Sequence, residues 1–342
     1  MAAVTTRTAR CTIVLPFRDA QATLDDCLDS IQQQTMRDFD VVAVDDGSVD
    51  GSAALVRARA VDDPRICLLQ PGRIGLVAAL NLGLAQAAAP LVARMDADDV
   101  MLPERIELQC RRLDQQAEIA LVGTQVELFS DAPIRAGYRE YVRWQNGCCT
   151  PEQIAAAIYV ESPLAHPSVM VRRNVVMAAG GYRDGDFPED YELWLRLHRA
   201  GHKLAKVPSV LLRWRERADR LSRVDPRYAR AAFDRLRARH LIDEPAVHDA
   251  AEVVIWGAGY RTRQRVRLLL ERGVRPVAWI DISRKKIGQR IWGLPVQAPS
   301  WLDRRPRPFV LVYVARHGAR EQIAAQLDAY GYRVGLDYLS VG

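Results

Sequence analysis

The sequence predicts an α/β protein in two parts: a mixed, mostly parallel sheet with helices on both faces, followed by a smaller α/β unit. Three observations carry the prediction. Apolar strand-sized runs alternate with helical stripes through the first 130 residues, the pattern of parallel strands joined by crossover helices. Two of those runs end in clusters of aspartate, and ligands of such sheets sit at the carboxyl ends of strands. Near residue 252 a fresh apolar run ending in Gly257-Ala258-Gly259 restarts the rhythm. A chain of 342 residues has room for two domains at about 150 residues each. We expect the first to cover residues 1–242 and the second 252–342, with 243–251 as a linker.

Residues 11–16 form the first apolar run, and Leu24, Cys27, Leu28 and Ile31 then fall at i, i+3, i+4 and i+7, one stripe of a helix. A second strand at 39–44 ends in Asp45-Asp46-Gly47-Ser48, and a helix at 52–61 and a third strand at 66–69 follow. The Ala/Leu-rich stretch 76–88 reads as a helix stopped by Pro90, and 91–95 as a fourth strand ending in Asp96-Ala97-Asp98-Asp99. Pro103 opens the next helix, where its missing N–H costs little. After residue 119 the alternation loosens. The pattern gives a strand at 119–129, a short helix at 153–159, a strand at 166–171 and an amphipathic helix at 189–199. A strand at 205–214, broken by Pro208, precedes a basic helix at 228–241. The second unit offers strand 252–256, helix 261–271, strand 276–280 ending in Asp281, strand 309–314 and helix 319–329.

Composition narrows the function classes. Hydrophobic residues make up 49% and charged residues 26%, enough apolar mass for a packed core, which excludes collagen-like and disordered chains. No run approaches the roughly 18 apolar residues of a membrane helix. Nothing before Cys11 has the apolar core of a secretory signal, so a cytoplasmic location is expected. The six cysteines, at 11, 27, 67, 110, 148 and 149, show neither a disulfide framework nor zinc spacing, and they fit a reducing compartment. The net charge of +6 is unevenly spread: residues 196–240 carry fourteen Lys or Arg against four Asp or Glu. Such a block is either the solvated face of Arg-rich helices or a surface for an anionic partner: diphosphate, acidic lipid or nucleic acid.

Asp96, Asp98 and Asp99 put three carboxylates within four residues, where they repel one another unless a cation neutralises them. Hard oxygen ligands select Mg2+ or Mn2+, which take further ligands from substrate phosphates. An acidic loop capping the next helix is the alternative. Asp45 and Asp46 end a neighbouring strand, where a carboxylate can accept from a nucleobase N–H or a ribose hydroxyl. An Asx turn capping the following helix is the other reading there. Glu189 and Asp190 open the amphipathic helix, with Asp190 on the face of Leu193, Trp194 and Leu197. The helix dipole favours an ionised carboxylate at that end, so Asp190 reads as a positioned base of low pKa or as a helix-start acid.

Taken in order, six segments resemble the motifs of family-2 glycosyltransferases with the GT-A fold. They are Leu15-Pro16-Phe17-Arg18-Asp19, Val44-Asp45-Asp46-Gly47-Ser48, and Arg73-Ile74-Gly75 through Ala79-Leu80-Asn81. Ala93-Arg94-Met95-Asp96-Ala97-Asp98-Asp99, His166-Pro167-Ser168-Val169-Met170, and Gly180-Gly181-Tyr182 with Glu189-Asp190-Tyr191-Glu192-Leu193-Trp194 complete the set. The resemblance spans residues 10–240. It implies an inverting, metal-dependent transferase that moves a sugar from a nucleoside diphosphate to an acceptor hydroxyl in surface polysaccharide or glycolipid synthesis. By the same resemblance Pro16, Arg18, Asp19 and Arg73 serve the nucleotide, and Asp46 holds the base. Asp96 and Asp98 serve ribose and metal (Mn2+ or Mg2+), whether or not Asp99 substitutes for one of them being left open, and Asp190 is the general base. His166 matches a family position for which core or loop hydrogen bonding is expected. Many members carry a His after the strand that follows this helix. Here the stretch is Arg213-Trp214-Arg215-Glu216-Arg217, and an Arg is expected to face the diphosphate instead.

The C-terminal unit resembles the Rossmann-like modules appended to some bacterial sugar transferases. Thr262 stands where the Gly257-x-Gly259 fingerprint has a third glycine, and Asp281, 24 positions after Gly257, is near the spacing of a ribose-binding acid. Docking, dimerisation or an unliganded structural role is expected of it. Two further readings compete with transfer. A nicotinamide-dependent oxidoreductase would work through this unit, although a Tyr-x-x-x-Lys couple is missing. A nucleic-acid binder would use residues 196–240, although no aromatic-interleaved basic motif stands out. The expected partners are a nucleoside-diphosphate sugar and a carbohydrate or lipid-linked acceptor, with peripheral contact to the anionic inner face of a membrane. No nucleic acid is expected, and any oligomer would form through the second domain.

Overall fold

The computed structural model describes residues 9–314 and 318–342; the segment in which a secretory signal was sought, 1–8, lies outside them. Two compact units result. One comprises Met1–Ile154, Pro163–Gly185 and Glu189–Val224, and the other Ala155–Ser162, Asp186–Pro188 and Asp225–Gly342.

The first unit begins with β1 (Cys11–Phe17), α1 (Gln21–Gln32), β2 (Phe39–Asp45), α2 (Ser52–Asp62), β3 (Ile66–Leu69), α3 (Leu76–Gln86) and β4 (Leu91–Arg94). After it come β5 (Val100–Met101), α4 (Arg105–Gln115), β6 (Ile119–Phe129), α5 (Ala136–Gly147), α6 (Pro151–Ala157), β7 (Met170–Arg172) and α7 (Arg173–Ala178). α8 (Glu189–Arg199), β8 (Lys203–Arg215) and α9 (Leu221–Val224) follow. The sheet order is β3-β2-β1-β4-β7-β6-β8-β5. β1 runs parallel to both β2 and β4, whereas β7 is antiparallel to β4 and β6. Every residue of β1 is buried, as a central parallel strand covered on both faces requires. Leu24, Leu28 and Ile31 of α1 pack with Ile13, Leu15, Val41 and Ala43 of the strands in one core. Asp45 pairs with Phe17 and Arg94 with Val14, so the two acidic segments leave the same edge of the sheet. They are two strands apart, about 10 Å across the sheet.

Local departures from expectation have physical causes. Residues 166–171 are not one strand: His166–Ser168 is a 3-10 turn and only Met170–Arg172 is extended. Pro167 has no N–H for a ladder, and Ser168 Oγ closes the turn on Ala165 O at 2.7 Å. Pro208 does not break β8 either. The pairing with β6 steps from Thr124–Val207 to Gln125–Val210, so the proline sits in a bulge that needs no ladder bond. Pro103 lies just before α4 rather than within its first turn.

The second unit contains α10 (Arg230–Leu241), α11 (Pro245–His248), β9 (Val253–Trp256), α12 (Tyr260–Leu270), β10 (Ala278–Ile280), β11 (Arg290–Ile291), β12 (Leu294–Gln297), β13 (Phe309–Val312), α13 (Ala319–Ala329) and β14 (Tyr338–Ser340). Its sheet order is β11-β12-β10-β9-β13-β14. Numbered by the parallel strands alone, this is the 3-2-1-4-5 order of a doubly wound sheet. The division falls after Val224, whereas the sequence reading places its linker at 243–251. The basic helix α10 buries Leu236 and Leu241 and packs on α12, which groups it with the second sheet.

Candidate active site at the strand ends

The loops after β1 and β2 are laced together. Asp19 takes a positive φ of 48°, donates its N–H to Ser48 Oγ at 3.0 Å and accepts from the Val49 N–H at 2.8 Å. The Ala20 N–H donates to Ser52 Oγ at 2.8 Å. Of the acid pair after β2, Asp45 makes the Asx turn, accepting from the Ser48 N–H at 2.9 Å and from Gln70 Nε2 at 3.2 Å. Asp46 reaches outward instead. Its Oδ1 accepts from the Ile74 and Gly75 N–H groups, each at 2.7 Å, so it fixes the Arg73-Ile74-Gly75 loop over the strand end. Gly47 has φ 75°, and a Cβ there would stand 3.0 Å from Arg73 N, which reserves the position for glycine. Pro16 is buried in β1 opposite Val44, while Arg18 and Arg73 are exposed.

The acidic loop after β4 is held from behind by α1. Thr23 Oγ1 donates to Ala97 O at 3.0 Å and the Cys27 thiol to Asp96 O at 3.4 Å. Asp96, Asp98 and Asp99 each present an oxygen within 4.8 Å of the others. Asp99 is fully buried; its Oδ1 accepts from the Arg215 N–H at 2.8 Å, and its Oδ2 has no hydrogen-bond partner. Burial, then repulsion from Asp96, raises the Asp98 carboxyl, and the same causes raise Asp99 well above the aspartate range. An orphaned buried oxygen beside two converging carboxylates fits a hard divalent cation such as Mg2+ or Mn2+.

Arginines surround this cluster. Arg94, buried at the end of β4, is ion-paired with Asp96. Arg105, fully buried, donates to Arg94 O at 2.7 Å and is pushed down to about 10 by burial. Arg215 donates from Nε to Asp98 O at 2.8 Å, and Arg220, stacked 4.6 Å from the Trp214 ring, donates to Arg215 O at 3.0 Å. The basic block is therefore divided: Arg217, Arg223, Arg230, Arg235 and Arg239 are exposed, while others turn inward. Arg196, Arg215 and Arg220 are largely enclosed, and buried Lys206 donates to Gln145 O and is pushed down to about 8 by burial.

Asp190 opens α8 with its Oδ1 accepting from the Tyr191 N–H at 2.7 Å. Burial pushes its carboxyl up to about 6, with Glu189 adding to the rise and His166 and Arg94 opposing it. This corrects the low value expected from the helix dipole: desolvation outweighs the helix end. Buried His166 lies beside the pair, 3.0 Å from Tyr182 Oη and 3.6 Å from Glu189 Oε1, with its ring against the Trp194 edge. Asn81 fixes Tyr182 through two 2.9 Å bonds to its backbone N–H and C=O. Gly181, φ 67°, passes so close that a Cβ would meet Asn81 Oδ1 at 2.5 Å. Arg94 and Tyr182 both have Asp96 and Asp190 as electrostatic neighbours, which brings the acidic cluster and the base candidate to one place. Sequence reasoning passed over Arg94, Tyr182 and Arg220. Arg94 and Tyr182 stood inside quoted motifs, but nothing in their spacing set them apart.

The glycine turn of the second unit is arranged differently. Asp281 Oδ2 accepts from the Ala258 N–H and from Lys286 Nζ, both at 2.9 Å, and Oδ1 accepts from the Ser283 N–H at 2.8 Å. The acid expected on a ribose thus has both oxygens engaged inside its own unit, and the oxidoreductase reading is not favoured.

Among the described residues no helix is long and apolar enough to cross a membrane. The sequence profile of Glycosyl transferase family 2 matches residues 12–178, so Asp190 lies beyond it. The amylovoran biosynthesis glycosyltransferase AmsE of Erwinia amylovora is 33% identical over 212 residues, 62% of this chain and 77% of that protein. The UDP-Gal:alpha-D-GlcNAc-diphosphoundecaprenol beta-1,3-galactosyltransferase of Escherichia coli is 29% identical over 201 residues, 57% of this chain and 70% of that one. Among solved structures, S. aureus TarS in complex with UDP-GlcNAc superposes with a TM-score of 0.53 over 77% of this chain and 71% of that one, at 14% identity. That likeness shows the GT-A fold alone. With strand-end acids in place and a relative one third identical over most of its length, the chain belongs to glycosyl transferase family 2.

Proposed function

We propose that this glycosyltransferase is inverting and metal-dependent. It passes a sugar from a nucleoside diphosphate to a hydroxyl of a carbohydrate or lipid-linked acceptor, in the assembly of a surface polysaccharide or glycolipid. The observation that carries the reading is the convergence of Asp96, Asp98, Asp99 and Asp190 around Arg94 and Tyr182. The relatives' polysaccharide and diphosphoundecaprenol chemistry supports the acceptor class.

In this reading the loops carrying Pro16, Arg18, Asp19 and Arg73 line the nucleotide side. Asp46 keeps the 73–75 loop in place and turns its remaining acceptor capacity toward the base. Asp98, with Asp96 and the orphaned oxygen of Asp99, would hold Mn2+ or Mg2+, which stabilises the charge developing on the departing diphosphate. Arg215 and Arg220 add fixed positive charge where other members carry a histidine. Asp190, with a pKa of about 6, is ionised at neutral pH yet basic enough to take the acceptor proton as the hydroxyl attacks. A single displacement, with base and leaving group on opposite sides, inverts the anomeric carbon.

The test is a thermal-shift and transfer screen of UDP-, GDP- and dTDP-sugars with and without Mn2+. Metal-dependent stabilisation by one donor class, with transfer lost in both Asp98→Asn and Asp190→Asn, is expected. Full transfer by both variants would refute the mechanism.

Exposed Arg230, Arg235 and Arg239 leave positive surface for an anionic membrane, and a cytoplasmic location is part of the same proposal. For the second unit a structural or oligomer-forming role is the simplest account.

A further inference from the structure

Arg94 closes β4 two residues before Asp96 and is 5% exposed. A guanidinium does not give up its proton in a protein, so when buried it needs a carboxylate within reach. Asp96 supplies one. The pair is made at Arg94 Nη1, and Arg94 Nε is buried without a hydrogen-bond partner. Beyond them lies a small, mainly apolar cavity lined by Val14, Leu80, Leu84 and Val92, with Tyr182 at its edge, and it offers no competing carboxylate. Arg105 grips the Arg94 carbonyl, so the residue is anchored at the strand end. Asp99 and Asp190 are further electrostatic neighbours.

We propose that Arg94 is the resident counter-ion of the acidic cluster and makes metal capture depend on the diphosphate of the donor. The proposal rests on the metal reading of Asp96 and Asp98. A dication arriving alone must share Asp96 with a fixed positive charge that cannot withdraw into the apolar cavity. A diphosphate brings negative charge that offsets both cations, so metal and diphosphate bind better together than apart. Arg94 is thus a positioning residue that sets the order of assembly.

The test titrates Mn2+ by electron paramagnetic resonance on the full chain, first alone and then with pyrophosphate. Wild type should bind Mn2+ weakly alone and more tightly with pyrophosphate. Arg94→Met should bind Mn2+ about tenfold more tightly alone, the size expected for removing a neighbouring unit charge, with little further gain from pyrophosphate. Arg94→Lys, which keeps the charge, should follow wild type and so separates charge from packing. Arg94→Gln serves the same comparison if the Met variant does not fold. Mn2+ affinity in the charge-free variants at or below that of wild type would overturn the proposal, as would equal wild-type affinity with and without pyrophosphate. Asp98→Asn separates the two layers: if it binds Mn2+ as wild type does, the metal reading itself fails.

Discussion

The two units carry the same construction at the carboxyl ends of their parallel strands and finish it in opposite ways. In the second, Asp281 follows a strand beside a glycine turn, and both its oxygens are taken by Ala258, Ser283 and Lys286. In the first, the acids after β4 are crowded rather than satisfied. Asp99 keeps an unpartnered buried oxygen, and burial and mutual repulsion raise both Asp98 and Asp99. A carboxylate whose acceptor capacity is met inside the protein stabilises a turn. One left short of partners in a place it cannot leave is prepared for a cation or a substrate. The difference lies in where the cations reach: Lys286 donates to the Asp281 carboxylate, whereas Arg215 Nε reaches the Asp98 carbonyl, Arg94 pairs with Asp96 and Asp99 Oδ2 is left without a partner.

The largest effect that would sharpen this contrast is at the base. Asp190→Asn should lower transfer by about a thousandfold, within the usual range for a positioned acid or base, and leave Mn2+ binding unchanged in a direct titration. Next, Asp98→Asn should abolish Mn2+ binding and lower transfer at least about a hundredfold, as loss of one electrostatic stabiliser does.

The same substitution should raise the melting temperature of the metal-free protein at pH 7. Folded Asp98 and Asp99 hold their protons more tightly than the unfolded chain does. Their stabilising contribution is therefore complete below the ordinary aspartate range and is lost as pH rises through the raised folded values. A lower melting temperature for metal-free Asp98→Asn would contradict that sign.

A subtler effect belongs to pH. With Asp190 at about 6, kcat/KM should rise through that value to a plateau and fall as the base is protonated below it. A plateau extending unchanged below pH 5 would remove Asp190 from the role. The smallest effect belongs to the second unit. Asp281→Asn should leave transfer within twofold while costing about 1 kcal/mol of stability, the worth of a partly exposed ion pair with its hydrogen bonds. A large loss of transfer there would break the distinction between the two strand ends.

Much of the architecture was legible because it is written in short-range pattern. The apolar runs of β1, β2 and β4 and the α1 stripe appear in the sequence nearly at their observed bounds, since a buried parallel strand must be continuously apolar. The acidic strand ends were legible for the same local reason. What was hidden depends on distant packing. Arg94 looks like any strand-end arginine until the cavity under α3 and the gripping Arg105 are seen. The helix start around Asp190 suggested a low pKa because a dipole is a local property, whereas the burial that raises it comes from the surrounding packing. The basic block offered two readings, and Arg215 and Arg220 followed a third, folding inward onto the acidic loop. The unit division was hidden too, because whether α10 belongs with α12 is decided by which apolar face it covers.

The claim on which the account turns is that the cluster after β4 holds one divalent ion for sugar transfer. The most direct measurement is Mn2+ stoichiometry by electron paramagnetic resonance, with UDP, GDP and dTDP present in turn, on wild type, Asp98→Asn and Asp281→Asn. The account predicts one Mn2+ per chain with at least one of these nucleotides in wild type and Asp281→Asn, and none in Asp98→Asn. Stoichiometric Mn2+ retained by Asp98→Asn, or no Mn2+ bound by wild type with any of them, would contradict it.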